Sequence, residues 1–128
     1  MRPLVATVDL AAIRHNYALA KRCAPGRRAF AVVKADAYGH GCAAVVTALH
    51  EVADGFAVCC VEEARVVREQ APTARILLLE GCFDAEDCQN AAELRLDVAV
   101  QSGAQAERLL AARLAHPLNV WLKLDSGM

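Results

Sequence analysis

Short apolar runs alternate with amphipathic stretches along the whole chain. The apolar runs predict five strands, at residues 29–34, 56–60, 76–79, 97–100 and 118–125. The segments between them carry apolar residues three and four positions apart, which is the spacing of a helix that buries one face. Repeated alternation of strand and helix is typical of a parallel sheet covered by helices, and we predict that architecture here.

Capping residues and breakers indicate where the helices begin and end. Asp9 can cap a first helix that ends at Pro25-Gly26. Asp84 can cap a later helix, and Ser102 begins an S-x-x-Q capping box for one that is predicted to end near His116-Pro117. Two predicted helices have a clear apolar face, made of Leu10, Ile13 and Tyr17 in the first and of Val45, Val46, Leu49 and Val52 in the helix after Gly41.

Two sheet architectures fit this pattern. An open doubly wound sheet and part of a (β/α)₈ barrel both alternate strands with helices, so the pattern alone does not separate them. The chain has 128 residues, which is the size of a single domain, whereas a whole barrel takes about 250 residues. Five strands would form little more than half of a barrel, with unpaired edges that need covering.

Composition excludes several classes of function. The formal net charge is −1, so there is no electrostatic case for binding nucleic acid or an anionic membrane surface. No apolar run approaches the roughly 20 residues that span a bilayer. The N-terminus lacks the pattern of a secretory signal, and a cytoplasmic location is therefore expected.

Six cysteines raise the question of disulfides and metal sites. Nothing in the sequence indicates secretion and several of the cysteines lie in hydrophobic segments, so buried free thiols are expected. There is no C-x-x-C pair and the four histidines are scattered, which argues against a zinc site. The cysteines are Cys23, Cys42, Cys59, Cys60, Cys82 and Cys88.

Two lysines at strand ends are the candidates for chemistry. Lys34 follows the apolar residues 30–33, and burial there would favour the neutral amine, a nucleophile that can form a Schiff base. Alternation along 118–125 puts Leu118, Val120, Leu122 and Leu124 on one face, which in a barrel would meet the helices. Lys123 is on the other face and would point into the barrel near its C-terminal rim, where barrel active sites lie. Two inward lysines at one rim indicate an anionic ligand such as a phosphorylated cofactor. For each lysine a solvated side chain is the alternative.

Several motifs resemble one known family. The stretch A-V-V-K-A-D-A-Y-G-H-G (31–41) resembles the segment around the cofactor lysine of pyridoxal-phosphate-dependent alanine racemases. The opening T-V-D-L-A-A-I-R-H-N-Y (7–17) and the tail W-L-K-L-D-S-G-M (121–128) are similar to further segments of that family, as are residues 55–64 and 76–81. The resemblance favours the barrel: an α/β fold, the N-terminal portion of a (β/α)₈ TIM-type barrel with about five strands.

The resemblance implies roles for four residues. Lys34 is expected to form the Schiff base with pyridoxal 5′-phosphate and to act as one of two acid/base groups. Tyr38 would donate a hydrogen bond to the cofactor phosphate, with an ordinary loop aromatic as the alternative. Leu79 would pack near the cofactor ring, although a plain core leucine explains it as well or better. Lys123 matches a lysine that is often carbamylated, while the G-H-G at 39–41 is expected only to form turns.

The resemblance also implies what the chain lacks. Residues 1–128 are expected to be a partial N-terminal barrel domain without the family's C-terminal β-domain, and to be inactive alone. The missing groups include the second catalytic base, a tyrosine of the partner subunit. The whole protein would racemise L- and D-alanine as a cytoplasmic homodimer, supplying D-alanine for peptidoglycan precursors or degrading alanine. The alternatives are another fold-type III pyridoxal-phosphate protein, such as an amino-acid racemase or decarboxylase, or a non-catalytic barrel protein that binds the cofactor.

Overall fold

The computed structural model describes residues 3–127, and within them it has six helices and five strands. They follow one another in the order α1 (Leu10–Cys23), β1 (Ala31–Val32), α2 (Lys34–Gly39), α3 (Cys42–Leu49), β2 (Phe56–Val58), α4 (Val61–Gln70), β3 (Ile76–Leu78), α5 (Ala85–Glu93), β4 (Asp97–Val100), α6 (Gly103–Ala111) and β5 (Asn119–Leu122). None of these helices is long and apolar enough to cross a membrane.

The five strands form one parallel sheet in the order β1-β2-β3-β4-β5. Each strand pairs with its sequence neighbour, and each crossover runs in the same direction along the sheet. A doubly wound sheet reverses its strand order at a switch point, whereas a barrel adds strands sequentially. The predicted parallel sheet is therefore confirmed, and its strand order is that of a barrel.

The sheet curves strongly. Phe30, next to β1, and Trp121 of β5 lie with their ring centroids 5.7 Å apart in an edge-to-face arrangement. In a flat sheet, strands about 4.8 Å apart would put β1 and β5 about 19 Å from each other. Side chains of the first and last strands meet only if the sheet bends around them, so both rings lie on its concave face.

The hydrophobic core lies between the convex face of the sheet and the helices. Phe56, Val58, Ile76, Leu78 and Val98 point toward the helices and are fully buried. Successive strand residues alternate between the faces, so Ala57 and Leu77 point to the concave side. The helical face predicted after Gly41 packs into the same core, with Val45, Val46 and Leu49 all buried.

The predicted helix caps are confirmed at three positions. Asp9 accepts a hydrogen bond from the Ala12 amide at 3.0 Å, and Asp84 accepts one from the Asp87 amide at 2.8 Å. Ser102 accepts from the Gln105 amide at 3.3 Å. The return bond of the capping box is displaced by one residue, because the Gln105 side chain accepts from the amide of residue 101.

Some predicted boundaries were wrong. The first strand was expected to include Lys34, but β1 ends at Val32 and Lys34 begins α2. Val52 lies beyond α3 and is exposed rather than part of its buried face. Helix α6 ends at Ala111, before the expected His116-Pro117. Residues 112–118 follow an irregular path from there to β5.

The two faces of β5 differ from the prediction in one respect. Asn119 and Trp121 point to the concave side, as alternation predicts. The opposite, apolar face was expected to meet helices, yet Val120, Leu122 and Leu124 are exposed. No helix among residues 3–127 follows β5, so nothing in this part of the chain covers that face.

Candidate functional site

The predicted site residues gather at one edge of the sheet. Strands β1, β3 and β5 end at Val32, Leu78 and Leu122, and Lys34, Leu79 and Lys123 come at or just after those ends. Because the strands are parallel, their C-terminal ends share one edge. That edge is where active sites of βα barrels are built.

An unusual left-handed turn follows Lys34 and forms most of the segment labelled α2. Residues 35–38 all have φ between 51° and 55° and ψ between 38° and 51°. Left-handed conformation costs about 1–2 kcal/mol for each residue that carries a Cβ atom, and such residues normally occur singly. Four in succession persist only where surrounding contacts hold them.

Two carboxylates hold the left-handed turn in place. Glu63, in the first turn of α4, accepts from the Ala35 amide at 2.7 Å and from the Cys59 amide at 2.9 Å. Asp36 accepts from the Cys42 amide at 2.6 Å and so caps α3. The turn is therefore tied to α4 through Ala35 and to α3 through Asp36.

The glycines after the turn have the role predicted for them. Gly39 and Gly41 have φ of 81° and 89°, which glycine tolerates because it has no Cβ atom. His40, between them, has its ring Nδ1 2.9 Å from the Ala37 carbonyl oxygen. Both glycines are turn formers, as expected from the sequence.

Lys34 and Tyr38 present polar groups without partners in the described part of the chain. Lys34 is half-buried, and its amine makes no hydrogen bond or ion pair with residues 3–127. Tyr38 is 61 % exposed, and its hydroxyl likewise has no partner among these residues. The edge therefore offers an amine and a hydroxyl that are free to meet a ligand.

Leu79 directly follows β3 at the same edge. Its amide donates to the Val58 carbonyl at 2.8 Å, which extends the pairing of β3 with β2. By alternation its side chain shares the concave side with Leu77, away from the main core, and it is half-buried. The structure thus leaves Leu79 available as an apolar surface at this edge.

Lys123 is an ion-pair partner. Its amine lies 3.6 Å from a carboxylate oxygen of Glu80, and both side chains are partly exposed. Its backbone amide donates to the Val100 carbonyl at 2.9 Å, which fixes the end of β5 against β4. The two predicted lysines therefore reach the same edge in different states, one neutralised by a carboxylate and one not.

Gly81 and Gln105 fix the chain next to Glu80. The Gln105 side chain donates to the Glu80 carbonyl at 2.8 Å. Gly81 has φ of 74°, and a Cβ atom there would clash with the Ala99 carbonyl oxygen. Only glycine fits this position, so the exit from β3 has a defined path.

The cysteines have no evident catalytic part at this edge. All six are free. Cys42, Cys82 and Cys88 are buried as predicted, whereas Cys59 and Cys60 are only half-buried and Cys23 is exposed. Burial raises the pKa of the Cys42 and Cys60 thiols, and burial beside Cys88 raises the pKa of Cys82 to about 12. The thiols of Cys42, Cys60 and Cys82 therefore stay protonated near neutral pH, and a protonated thiol is a poor nucleophile. Residues 3–127 contain no cluster of three or more metal-ligating side chains.

Sequence reasoning missed Glu63 and Glu80. Glu63 lies in the pair Glu62-Glu63 at a helix N-terminus, where acidic residues are common because they favour the helix dipole. Glu80 comes after an apolar strand, where an acidic side chain is ordinarily expected to face solvent. Their contacts join residues 28 and 43 positions apart, and no local pattern signals contacts at that distance.

A buried polar cluster lies at the opposite edge. Asp97, at the start of β4, is 3 % exposed and accepts from Arg75 at 2.6 Å, from Trp121 at 2.7 Å and from Asn119 at 3.1 Å. It borders a cleft of about 700 Å³ between the N-terminal ends of β3, β4 and β5. Both carboxylate oxygens of Asp97 are paired within the fold.

Comparison with known proteins connects this geometry to a family. The family model described as "Alanine racemase, N-terminal domain" matches residues 8–128. Over its whole length the chain is 72 % identical to an alanine racemase of Stutzerimonas stutzeri and 70 % identical to the biosynthetic alanine racemase of Pseudomonas aeruginosa. It spans only 36 % of the length of either relative.

Solved structures agree with the sequence comparison. The crystal structure of the Pseudomonas aeruginosa enzyme superposes on the whole chain with a TM-score of 0.96 at 70 % identity, and 36 % of that structure is covered. The alanine racemase structure from Acinetobacter baumannii matches 94 % of the chain, and 35 % of its own length, with a TM-score of 0.84 at 33 % identity. The parallel sheet is thus part of a TIM-type barrel, and the chain belongs to the alanine racemase family, its residues 8–128 matching that family's N-terminal domain.

Proposed function

We propose that the full-length protein interconverts L- and D-alanine with pyridoxal 5′-phosphate, and that Lys34 binds the cofactor. The observation that carries the proposal is that the Lys34 amine and the Tyr38 hydroxyl, four residues apart at the C-terminal edge of the sheet, have no partner within residues 3–127. The relatives named alanine racemases support the reaction. Because the chain spans 36 % of their length, the activity is proposed for the whole protein.

The residues at this edge fit the proposed cofactor. Pyridoxal phosphate has an aldehyde that needs an amine, a phosphate that needs hydrogen-bond donors and a ring that needs an apolar surface. Lys34 has an amine that no described carboxylate engages, and Tyr38 has an exposed hydroxyl that no described residue engages. Leu79 is half-buried on the concave side. When bound, the cofactor would supply an electron sink that makes the substrate α-proton acidic.

Lys34 would then have two tasks. Its amine would hold the cofactor covalently, and when substrate displaces it the same amine would accept and return the α-proton on one face. The left-handed turn aims this amine by fixing the backbone directly after it. Racemisation also requires proton transfer on the second face, and we assign no residue of this chain to that step.

Lys123 is proposed as a carbamylation site. The Glu80 carboxylate lies 3.6 Å from the Lys123 amine. A carbamate formed on that amine would be anionic and would repel Glu80. Carbamylation of Lys123 would therefore require Glu80 to turn away, which its partial exposure permits.

The role in metabolism and the assembly are further parts of the proposal. The Pseudomonas aeruginosa relative is named biosynthetic, which supports a role in supplying D-alanine for peptidoglycan precursors. We propose a homodimer in the cytoplasm, as is general for the family. Size-exclusion chromatography with light scattering on the full-length gene product would measure the assembly.

The direct test is racemisation by the full-length gene product. We expect purified protein with pyridoxal phosphate to convert L-alanine to D-alanine, measured by chiral chromatography, and Lys34→Ala to lose this activity. Lys21→Ala is the matched control, because Lys21 pairs with Asp54 at the other edge of the sheet. Absence of conversion by the wild type, or full activity in Lys34→Ala, would contradict the proposal.

A further inference from the structure

The Glu63 carboxylate connects two strand ends at the proposed site. One oxygen accepts from the Ala35 amide at 2.7 Å and the other accepts from the Cys59 amide at 2.9 Å. Ala35 is the residue after Lys34, and Cys59 directly follows β2. A single side chain from α4 therefore ties the backbone that carries Lys34 to the neighbouring strand.

This bridge acts where the backbone is most strained. The right-handed conformation is the default for the sequence A-D-A-Y, and each of its four residues is instead left-handed. The bond from Glu63 ends on the first of these four amides. Hydrogen bonds to charged acceptors are about twice as strong as neutral ones, so Glu63 is a principal restraint on the direction that the chain takes after Lys34.

Neighbouring carboxylates do not duplicate this contact. Glu62 is exposed, and its pKa is lowered by its own backbone amide and by the Cys60 side chain rather than by any contact with the turn. Asp36, the second residue of the turn, is engaged with the Cys42 amide of α3. Within residues 3–127, Glu63 is the side chain that bonds to the amide adjoining Lys34.

We propose that Glu63 is a positioning residue for Lys34: by bridging the Ala35 and Cys59 amides it holds the left-handed turn and aims the lysine amine at the cofactor. This inference rests on the proposed function, because it concerns attachment of pyridoxal phosphate. Glu63 touches neither cofactor nor substrate in this role. It acts through the backbone that carries Lys34.

The test compares three variants of the full-length gene product. Glu63→Gln leaves one acceptor oxygen, so one of the two amides loses its partner. Glu63→Asp keeps the charge but is too short to bridge both amides, and it also serves if Glu63→Gln fails to fold. Glu62→Gln removes the adjacent charge without touching the bridge and is the matched control.

Two readouts separate positioning from a general loss of stability. Hydrogen exchange of the cofactor-free protein, followed by mass spectrometry, should rise about tenfold in both Glu63 variants in the peptide whose amide loses its partner, which is the one that contains Ala35 or the one that contains Cys59. It should not rise in Glu62→Gln. The rate at which pyridoxal phosphate attaches to Lys34, followed by absorbance well below the unfolding temperature, should fall about tenfold in the same two variants. Tenfold is the effect expected from losing one hydrogen bond to a charged group.

The outcomes distinguish the two proposals. Attachment in the wild type with equal rates in all three variants would overturn the role of Glu63 alone. A normal rate in Glu63→Asp with a slow rate in Glu63→Gln would assign the effect to charge, and would overturn the bridge. Absence of attachment in the wild type would overturn the proposed function, and the role of Glu63 in attachment with it.

Discussion

The two edges of the sheet are built on opposite principles. At the N-terminal edge, Asp97 has three donors on its two carboxylate oxygens and is almost fully buried. At the C-terminal edge, Lys34 and Tyr38 have polar groups with no partner among residues 3–127, and a strained turn lies between them. One edge pairs its central carboxylate, Asp97, within the fold, whereas the other leaves the polar groups of Lys34 and Tyr38 available within the described residues.

This difference separates stability from function within one small sheet. Polar groups that are paired and buried stabilise the fold but have nothing left for a ligand. Unpaired groups and left-handed backbone weaken the fold, and they persist where the surroundings hold them for another purpose. The contrast predicts that changes at the N-terminal edge reduce stability, while changes at the C-terminal edge reduce cofactor binding.

The largest expected effect on stability comes from Asp97→Ala. Its loss leaves Arg75, Asn119 and Trp121 without their acceptor, so the free energy of unfolding should fall by about 2–4 kcal/mol. The lower part of that range applies if Arg75, which is partly exposed, regains water. Urea unfolding measures the change, and Glu107→Ala, at an exposed position of α6, should stay within about 0.5 kcal/mol of the wild type.

The same variant tests whether the edges are independent. We expect folded Asp97→Ala to bind pyridoxal phosphate as the wild type does. A loss of cofactor affinity as large as the loss of stability would mean that the two edges act as one unit.

The two tyrosines give a matched pair of smaller effects. Tyr38→Phe should weaken binding of pyridoxal phosphate about five- to tenfold, the value of one hydrogen bond, without changing stability. Tyr17→Phe should leave cofactor binding unchanged and reduce stability. The reason is that the Tyr17 hydroxyl donates to the Ala29 carbonyl at 2.8 Å and accepts from the Asp54 amide at 3.0 Å. It should lose about 1 kcal/mol of stability. Calorimetric titration measures the cofactor affinity of both variants, and thermal unfolding measures their stability. Identical changes in the two variants would contradict the comparison of the two edges.

The smallest effect concerns pH and Asp54 at the N-terminal edge. A hydrogen bond from Lys21, and then one from the Ala29 amide, hold the pKa of Asp54 below its ordinary value. A lowered folded-state pKa gives stability that is present above the unfolded value, near 4, and lost as the pH falls through the folded value. Asp54→Asn should therefore be less stable than the wild type at pH 7. The difference should shrink below about pH 4 in unfolding experiments, and a constant difference across this range would exclude the linkage.

Much of the fold was predictable because its elements obey local rules. The alternation of apolar residues gave all five strands, with β4 at residues 97–100 as predicted. Asp9, Asp84 and Ser102 cap helices as their side chains require. The prediction failed at the end of α6, where the chain leaves the helix at Ala112 rather than near His116-Pro117.

The candidate site was only partly predictable. A-D-A-Y-G has no local reason to be left-handed, and the contacts that hold it come from α4 and α3. Periodicity gave the location of Lys34 and Lys123 at one edge, and it gave neither Glu63 nor Glu80. The apolar face of β5 was expected to be covered, and it is exposed because no helix within residues 3–127 packs on it.

The central claim is that Lys34, at the edge with unpaired polar groups, holds the cofactor. The chain has three lysines, and each is in a different state: Lys21 is paired with Asp54, Lys123 is paired with Glu80, and Lys34 is unpaired among the described residues. The most direct measurement is to add pyridoxal phosphate to the full-length gene product, reduce with borohydride and map the labelled peptide by mass spectrometry. We predict a label on the peptide that contains Lys34, and none in Lys34→Ala at that position. A label on Lys123 or Lys21 instead, or no label on any of the three, would contradict the account.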